Sequence, residues 1–221
     1  MRPVLLLLVL FFAASIFIES DGRADDTTSP FGLKERIPWT TSRVVGTPDP
    51  PPPYTVKRAF PLLTFKNPLY IAQEPGTDRI FVGELSGKIY AFSKSNPDPD
   101  AMELFLDIGR EMYSFSFHPK YEENGYLFVF SPRDPKDKSE DKKSRVSRFQ
   151  AGAEHPRHCS PDTETIILEW PAGGHNGGEA IIGPDGYLYI STGDGTSGSD
   201  PKGTGQGVDD LFSVIVRIDV D

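Results

Sequence analysis

The sequence predicts an all-β protein: a β-propeller with about three blades present, the third lacking its outer strand, out of a presumed six-bladed parent. Three observations predict it. Gly and Pro supply 21 residues each of 221, a load that helices do not tolerate, because each is costly in a helix interior. A short strand, a Pro turn and an aromatic-aliphatic strand recur three times along the chain. Between these windows lie further short strand-like runs bounded by Gly, Asn, Asp and Pro, the spacing of four-stranded antiparallel units.

Residues 1–24 read as a signal peptide. Arg2 gives a positive start, and Val4 to Ile18 is an apolar run of 15 residues broken only by Ser15. A membrane-spanning helix needs roughly 20, and here Glu19, Asp21 and Arg23 follow at once. Gly22 and Ala24 are small residues at the positions a signal peptidase reads, which places cleavage before Asp25 and the mature body outside the cytoplasm, periplasmic or extracellular, with no stable membrane span. A retained N-terminal anchor is the alternative. Residues 25–60 form an extended, Pro-rich lead-in, since Pro30, Pro38, Pro48 and the run Pro50 to Pro53 exclude a helix. The remaining 61–221 form the partial propeller.

The first window runs from Ile71 through Pro75 to Val82, the second from Phe115 through Pro119 and Asn124-Gly125 to Val129, the third from Ala180 through Pro184 and Asp185-Gly186 to Ile190. Asn-Gly and Asp-Gly between such runs favour hairpins because these residues tolerate positive φ. Third strands are expected at Lys88 to Phe92, Arg145 to Phe149 and Phe212 to Val220, and fourth strands at Met102 to Ile108 and Thr165 to Trp170. That makes eleven strands, and the absent fourth strand of the last unit implies that the chain is part of a longer product. A β-sandwich has strands at similar spacing; the repeated Pro-turn-aromatic pattern favours blades.

Blade topology then decides which residues meet. The loop entering an inner strand and the loop leaving the second strand lie at one end of a blade. His175 precedes the inner strand of the third unit and Asp194 follows its second strand, so the hairpin returns both to one rim. By the same rule Asn67, Glu84, Arg110 and Glu111 face that mouth, where propellers place sites. In Gly173-Gly174-His175-Asn176-Gly177-Gly178, four glycines leave the imidazole little cover and let a flat ligand approach the backbone. An imidazole is a natural general base, and a carboxylate can orient it; a solvated loop histidine is the other reading.

The stretch from His175-Asn176-Gly177-Gly178 through Gly183-Pro184-Asp185-Gly186-Tyr187-Leu188-Tyr189 to Thr192-Gly193-Asp194-Gly195, ending at Arg217-Ile218-Asp219, resembles the glucose/sorbosone dehydrogenase family. Phe115 to Leu127 and Pro68 to Phe92 resemble that family's first two blades. The resemblance implies a six-bladed propeller holding pyrroloquinoline quinone (PQQ) at the channel mouth with calcium beside it, oxidising the anomeric hydroxyl of an aldose to a lactone and passing electrons to an external acceptor. Carried over, His175 is the base that removes the hydroxyl proton, Asp194 its partner, and Asn176 and Gly177 contact the cofactor. The family's main quinone contacts and its calcium ligands come from later blades, so the resemblance assigns no metal ligand here. The entry to blade two departs from the family at Arg110 to Ser114, and the approach to the last strand departs at Ser213-Val214.

Other patterns carry less. The chain has 23 Lys and Arg against 32 Asp and Glu, a net charge of -9, which argues against a nucleic-acid partner. The single cysteine, Cys159, excludes an internal disulfide and a haem-attachment motif. His155-Pro156-Arg157-His158-Cys159 reads as a surface turn, Thr192 to Gly207 as a flexible loop over the channel, and Asp134 to Lys143 as a solvated excursion. Trp170 and the many Phe and Tyr residues read as packing between blades. Two function classes stand: an exported PQQ-dependent sugar dehydrogenase, or a non-catalytic propeller that binds a protein or glycan.

Overall fold

The computed structural model describes Thr40, residues 55–139 and residues 141–221. The signal peptide and most of the lead-in, with Phe31 and Trp39, lie outside the described residues. Val56 to Asp221 form one compact unit.

Eleven strands make three antiparallel sheets of four, four and three. The first contains β1 (Pro68–Gln73), β2 (Arg79–Glu84), β3 (Lys88–Ser93) and β4 (Glu103–Asp107). The second contains β5 (Ser114–Phe117), β6 (Tyr126–Ser131), β7 (Lys143–Gln150) and β8 (Thr165–Pro171), and the third β9 (Ala180–Ile182), β10 (Leu188–Ser191) and β11 (Ile215–Ile218). Each strand pairs with its neighbour in sequence. The first strands of the three sheets approach one another, β5 lying between β1 and β9. The last strand is shorter than the expected Phe212 to Val220: Leu211 and Phe212 turn inward to pack beside Trp170 and Ile190 instead.

The cores lie between sheets. Phe81, Ile89 and Phe105 from the first sheet meet Phe115, Leu127 and Phe149 from the second. On the second sheet's other face, Phe128, Phe130 and Val146 meet Ala180, Leu188 and Ile190 of the third. Sheet two is thus covered on both sides, which explains why β6 reads as a nearly continuous apolar run rather than a strict alternation. Trp170 stacks on Phe130 with ring centroids 5.6 Å apart. On the first sheet's outer face, Leu63 is buried with Ile80, Val82 and Phe92, and Phe60 and Phe65 pack alongside.

Two turn readings resolve differently. The Asn124-Gly125 tip is a one-turn helix, α1 (Tyr121–Asn124), which Gly125 ends in the left-handed conformation (φ 67°), its N–H returning to the Tyr121 carbonyl at 2.8 Å. Buried Tyr121 pulls this turn inward, where a two-residue hairpin would leave it outside. The expected surface turn at His155 to Cys159 is partly core: Arg157 is 5% exposed and donates to the Gly152 and Glu122 carbonyls, at 2.7 and 2.6 Å, and Cys159 is also buried. The signal missed was the reach of a guanidinium, which satisfies backbone oxygens while lying 5.4 Å from the centroid of the Tyr121 ring.

Candidate active site

The backbone ladder of β9 and β10 continues past the ends of the strands. Ser191 donates to the Glu179 carbonyl at 2.9 Å, Gly193 to Asn176 at 3.2 Å and Gly195 to His175 at 2.9 Å, and His175 donates back to Thr196 at 2.6 Å. The loops 173–178 and 191–196 therefore run side by side, almost touching. A Cβ at Gly173 would land on the Gly195 carbonyl, one at Gly178 on the Ser191 carbonyl, and one at Gly193 on the His175 carbonyl. These glycines serve backbone-to-backbone contact between the two loops. That differs from the role the sequence suggested for those flanking His175, which was to admit a flat ligand.

The ladder brings His175 and Asp194 together across 19 residues: Nδ1 lies 3.2 Å from Asp194 Oδ1. A carboxylate accepts only, so Nδ1 carries the proton and Nε2 presents a lone pair. The imidazole is 54% exposed at its side chain and Asp194 21%. Among the described residues nothing hydrogen-bonds Nε2. The Thr196 N–H donates to Asp194 Oδ1 at 2.8 Å, and this bond, opposed by burial and helped to a lesser extent by the imidazole, holds the Asp194 carboxyl below its ordinary value. Sequence reasoning missed Thr196, although Asp-Gly-Thr is a recognisable Asx turn. The Asp194 carbonyl accepts from Thr204 Oγ1 at 2.6 Å, and the Asp200 carboxylate collects the Thr204 and Gly205 N–H groups at 3.0 and 2.8 Å, so the loop expected to be flexible is tied to the pair.

The other candidates are placed differently. The Asn176 amide closes on its own loop, accepting from the Gly173 N–H at 2.6 Å and donating to the Gly173 carbonyl at 3.0 Å, and the residue is 6% exposed. Gly177 packs on the backbone of Thr192 and Gly193. Glu84 is buried and accepts from the Lys66 N–H and from Ser86. Arg110 is paired with Glu164 and Ser131, and Glu111 with Arg133. No hydrogen bond joins these residues to His175 or Asp194 among the described residues. A link without local signature spans 109 positions: Tyr70 on β1 donates to Glu179 Oε1 at 2.8 Å, tying the first sheet to the start of β9. A large open cavity of about 650 Å³, lined by Asn124, Gln150 and Thr163 among others, is not at this pair.

The donor set fits one side of a quinone site. It offers an exposed imidazole backed by a carboxylate, which suits proton abstraction. No arginine or lysine pairs with His175 or Asp194, and no cluster of three His, Cys, Asp or Glu could hold a metal ion, among the described residues. The residues present therefore fit the base of such a site and do not form a cradle for the cofactor.

The model of the family described as Glucose / Sorbosone dehydrogenase matches residues 65–221. The chain belongs to that family. Among curated proteins it is 29% identical to the HIPL2 protein of Arabidopsis thaliana, over 70% of this chain and 28% of that one. It is likewise 29% identical to the human Hedgehog-interacting protein, over 66% of this chain and 23% of that one. The PQQ-bound aldose sugar dehydrogenase of Streptomyces coelicolor superposes with a TM-score of 0.56 at 19% identity, over 70% of this chain and 45% of that one. The apo aldose sugar dehydrogenase of Escherichia coli gives 0.52 at 13% identity, over 69% and 44%. The chain thus spans less than a third of the curated relatives and less than half of the solved structures. Among the described residues no helix is long and apolar enough to cross a membrane.

Proposed function

We propose that this chain carries the base-bearing part of an exported, PQQ-dependent sugar dehydrogenase that oxidises the anomeric hydroxyl of an aldose to a lactone. The observation that carries the reading is the His175–Asp194 pair, 3.2 Å apart, with the outer imidazole nitrogen open to solvent. His175 Nε2 takes the hydroxyl proton. Asp194 fixes the tautomer and stabilises the imidazolium that forms, and the Thr196 N–H holds the carboxylate in place and charged. PQQ, when bound, supplies the two-electron acceptor, with calcium as its Lewis-acid partner and an external molecule taking the electrons onward. Asn176 and Gly177 contribute through the loop's shape: Asn176 locks the turn that presents His175.

In this reading the three sheets are blades of a six-bladed ring, and the remaining blades bring the cations that hold the quinone. The signal-like residues 1–24 direct export. The test is to add PQQ and calcium to the full-length product that contains this chain and follow both the quinone spectrum and dye reduction with a panel of aldoses. Quinone binding with aldose-dependent reduction is the expected result. Absence of both overturns the proposal.

A second reading is favoured by the relative named for its interaction with Hedgehog: a propeller that binds a protein or glycan without turnover. It predicts a folded protein that retains such binding while the quinone spectrum stays unchanged.

A further inference from the structure

Residues 194–213 are rich in Gly, Ser, Thr and Asp, a composition that suits a loose connection, yet the loop is closed at its base and stapled in its middle. At the base, the Thr192 N–H donates to the Val214 carbonyl and the Ser213 N–H to the Gly193 carbonyl, both at 3.0 Å. Just inside, Phe212 lies so close to Gly195 that a Cβ there would come within 2.3 Å of the ring. Phe212 also packs on the cluster that contains Trp170 and Ile190. The turn Asp194-Gly195-Thr196 therefore rests on the core between the second and third sheets.

The staple is Thr204. Its Oγ1 lies 2.6 Å from the Asp194 carbonyl oxygen and 3.1 Å from Asp200 Oδ1. A hydroxyl has one proton to give, and the shorter contact takes it to Asp194. Asp200 fixes Thr204 by other means. Its Oδ1 accepts from the Thr204 N–H at 3.0 Å, its Oδ2 from the Gly205 N–H at 2.8 Å, and its carbonyl from the Gly203 N–H at 3.0 Å. Hydrogen bonds to a charged acceptor are the stronger kind. Asp200 makes them from the left-handed region (φ 50°), which Asp enters more readily than most residues.

Asp194 is thus gripped at both ends. Its carboxylate meets the Thr196 N–H and His175 Nδ1, and its carbonyl meets the Thr204 hydroxyl. Thr196 is bound through its backbone on both sides, its carbonyl accepting from the His175 N–H at 2.6 Å, while its own buried Oγ1 has no partner among the described residues. A turn that leaves a buried hydroxyl unmet is being held by something other than its side chain.

We propose that Thr204, held by Asp200, is a positioning residue for the base: it fixes the Asp194 backbone so that the carboxylate stays on Nδ1 and the Nε2 lone pair stays free. This rests on the reading of His175 as the base. Neither Thr204 nor Asp200 hydrogen-bonds His175 among the described residues; both act through Asp194. A proton acceptor works only within a narrow range of orientations, so the support behind its partner matters as much as the partner.

The test uses the full-length product that contains this chain, without quinone and with isotope-labelled histidine, read by nitrogen NMR. The His175 ring signals are those lost in His175→Gln. In the parent, Nδ1 carries the proton. Thr204→Val keeps the shape and removes the hydroxyl, so the Nδ1 proton exchanges about threefold to tenfold faster, the range one net hydrogen bond is worth, and the Nε2-protonated tautomer gains population. Thr204→Ser restores the parent signals, because the hydroxyl and not the bulk of the side chain is what acts. Asp200→Asn keeps an acceptor for the Thr204 N–H and loses the one for Gly205, so its effect is smaller than that of Thr204→Val. Lys202→Ala, at an exposed position of the same loop, changes neither signal. Parent-like exchange and tautomer in Thr204→Val overturn the proposal. So does a loss in Thr204→Val that Thr204→Ser does not repair. The readout needs neither quinone nor turnover, so failure here is separable from failure of the dehydrogenase reading.

Discussion

His118 sits inside the second repeated window and His175 in the loop that enters the third, and they occupy opposite chemical situations. His118 is 2% exposed with both ring nitrogens engaged: Nδ1 accepts from the Lys120 N–H and from Asn124 Nδ2, each at 3.0 Å, and Nε2 lies 3.3 Å from the Val220 carbonyl. His175 is held by one nitrogen and open at the other. The first imidazole locks α1's turn and docks the chain beyond β11; no substrate can reach it. The difference is one free lone pair on a fixed ring. That pair, and not the residue type or the neighbouring motif, separates a structural histidine from a candidate base.

The contrast is broken most directly by removing each ring in turn. His175→Ala costs ~10²–10⁴-fold in turnover of the reconstituted enzyme and leaves the urea midpoint unchanged, since its side chain is half exposed. His118→Ala does the reverse. It strips partners from part-buried donors and an acceptor, costing about 1–3 kcal/mol of stability, while turnover per folded molecule is retained. Equal losses of turnover in both variants, measured on fully folded protein, would erase the distinction.

A finer break lies in the loop that positions His175. Gly193→Ala drives a methyl into the His175 carbonyl and the Gly177 N–H. Both are backbone and cannot swing aside, so the two loops must part at a cost of about 1–3 kcal/mol. The Asp194 contact loosens with them, and turnover falls by roughly tenfold while His175 itself is untouched. The NMR signal of the Nδ1 proton, present in the parent and lost to solvent exchange in the variant, reports this directly. A retained signal with normal turnover would show that the close approach of the loops is dispensable.

Much of this was legible before any coordinates. Period-two runs ended by Gly, Asn, Asp and Pro locate strands because pleated backbones alternate their faces and turns demand special φ, and hairpin topology alone returns His175 and Asp194 to one end. What stayed hidden depends on distance across the fold. Nothing local tells that Asn176 turns its amide back on Gly173, that the glycines around His175 face another backbone, or that Arg157 is buried. Those outcomes are set by which loop lies alongside which. Tyr70 and Glu179, 109 residues apart, are the extreme case.

That contact supplies the smallest predicted effect and the sharpest check on the sheet arrangement. Burial first, and then the Glu179 carboxylate, push the Tyr70 phenol up to about 12 from an ordinary 10. The fold therefore prefers the neutral phenol. Its contribution to stability is complete below pH 10, where the unfolded phenol is also neutral, and is lost as the pH rises through the folded value. Tyr121, buried against Glu74, is pushed upward as well and adds its own alkaline sensitivity. Tyr70→Phe should therefore make the fall in urea midpoint between pH 9 and pH 11 shallower without flattening it. An unchanged slope would mean that Tyr70 is not held against Glu179 in solution, and that the first and third sheets are not joined across β5 as described.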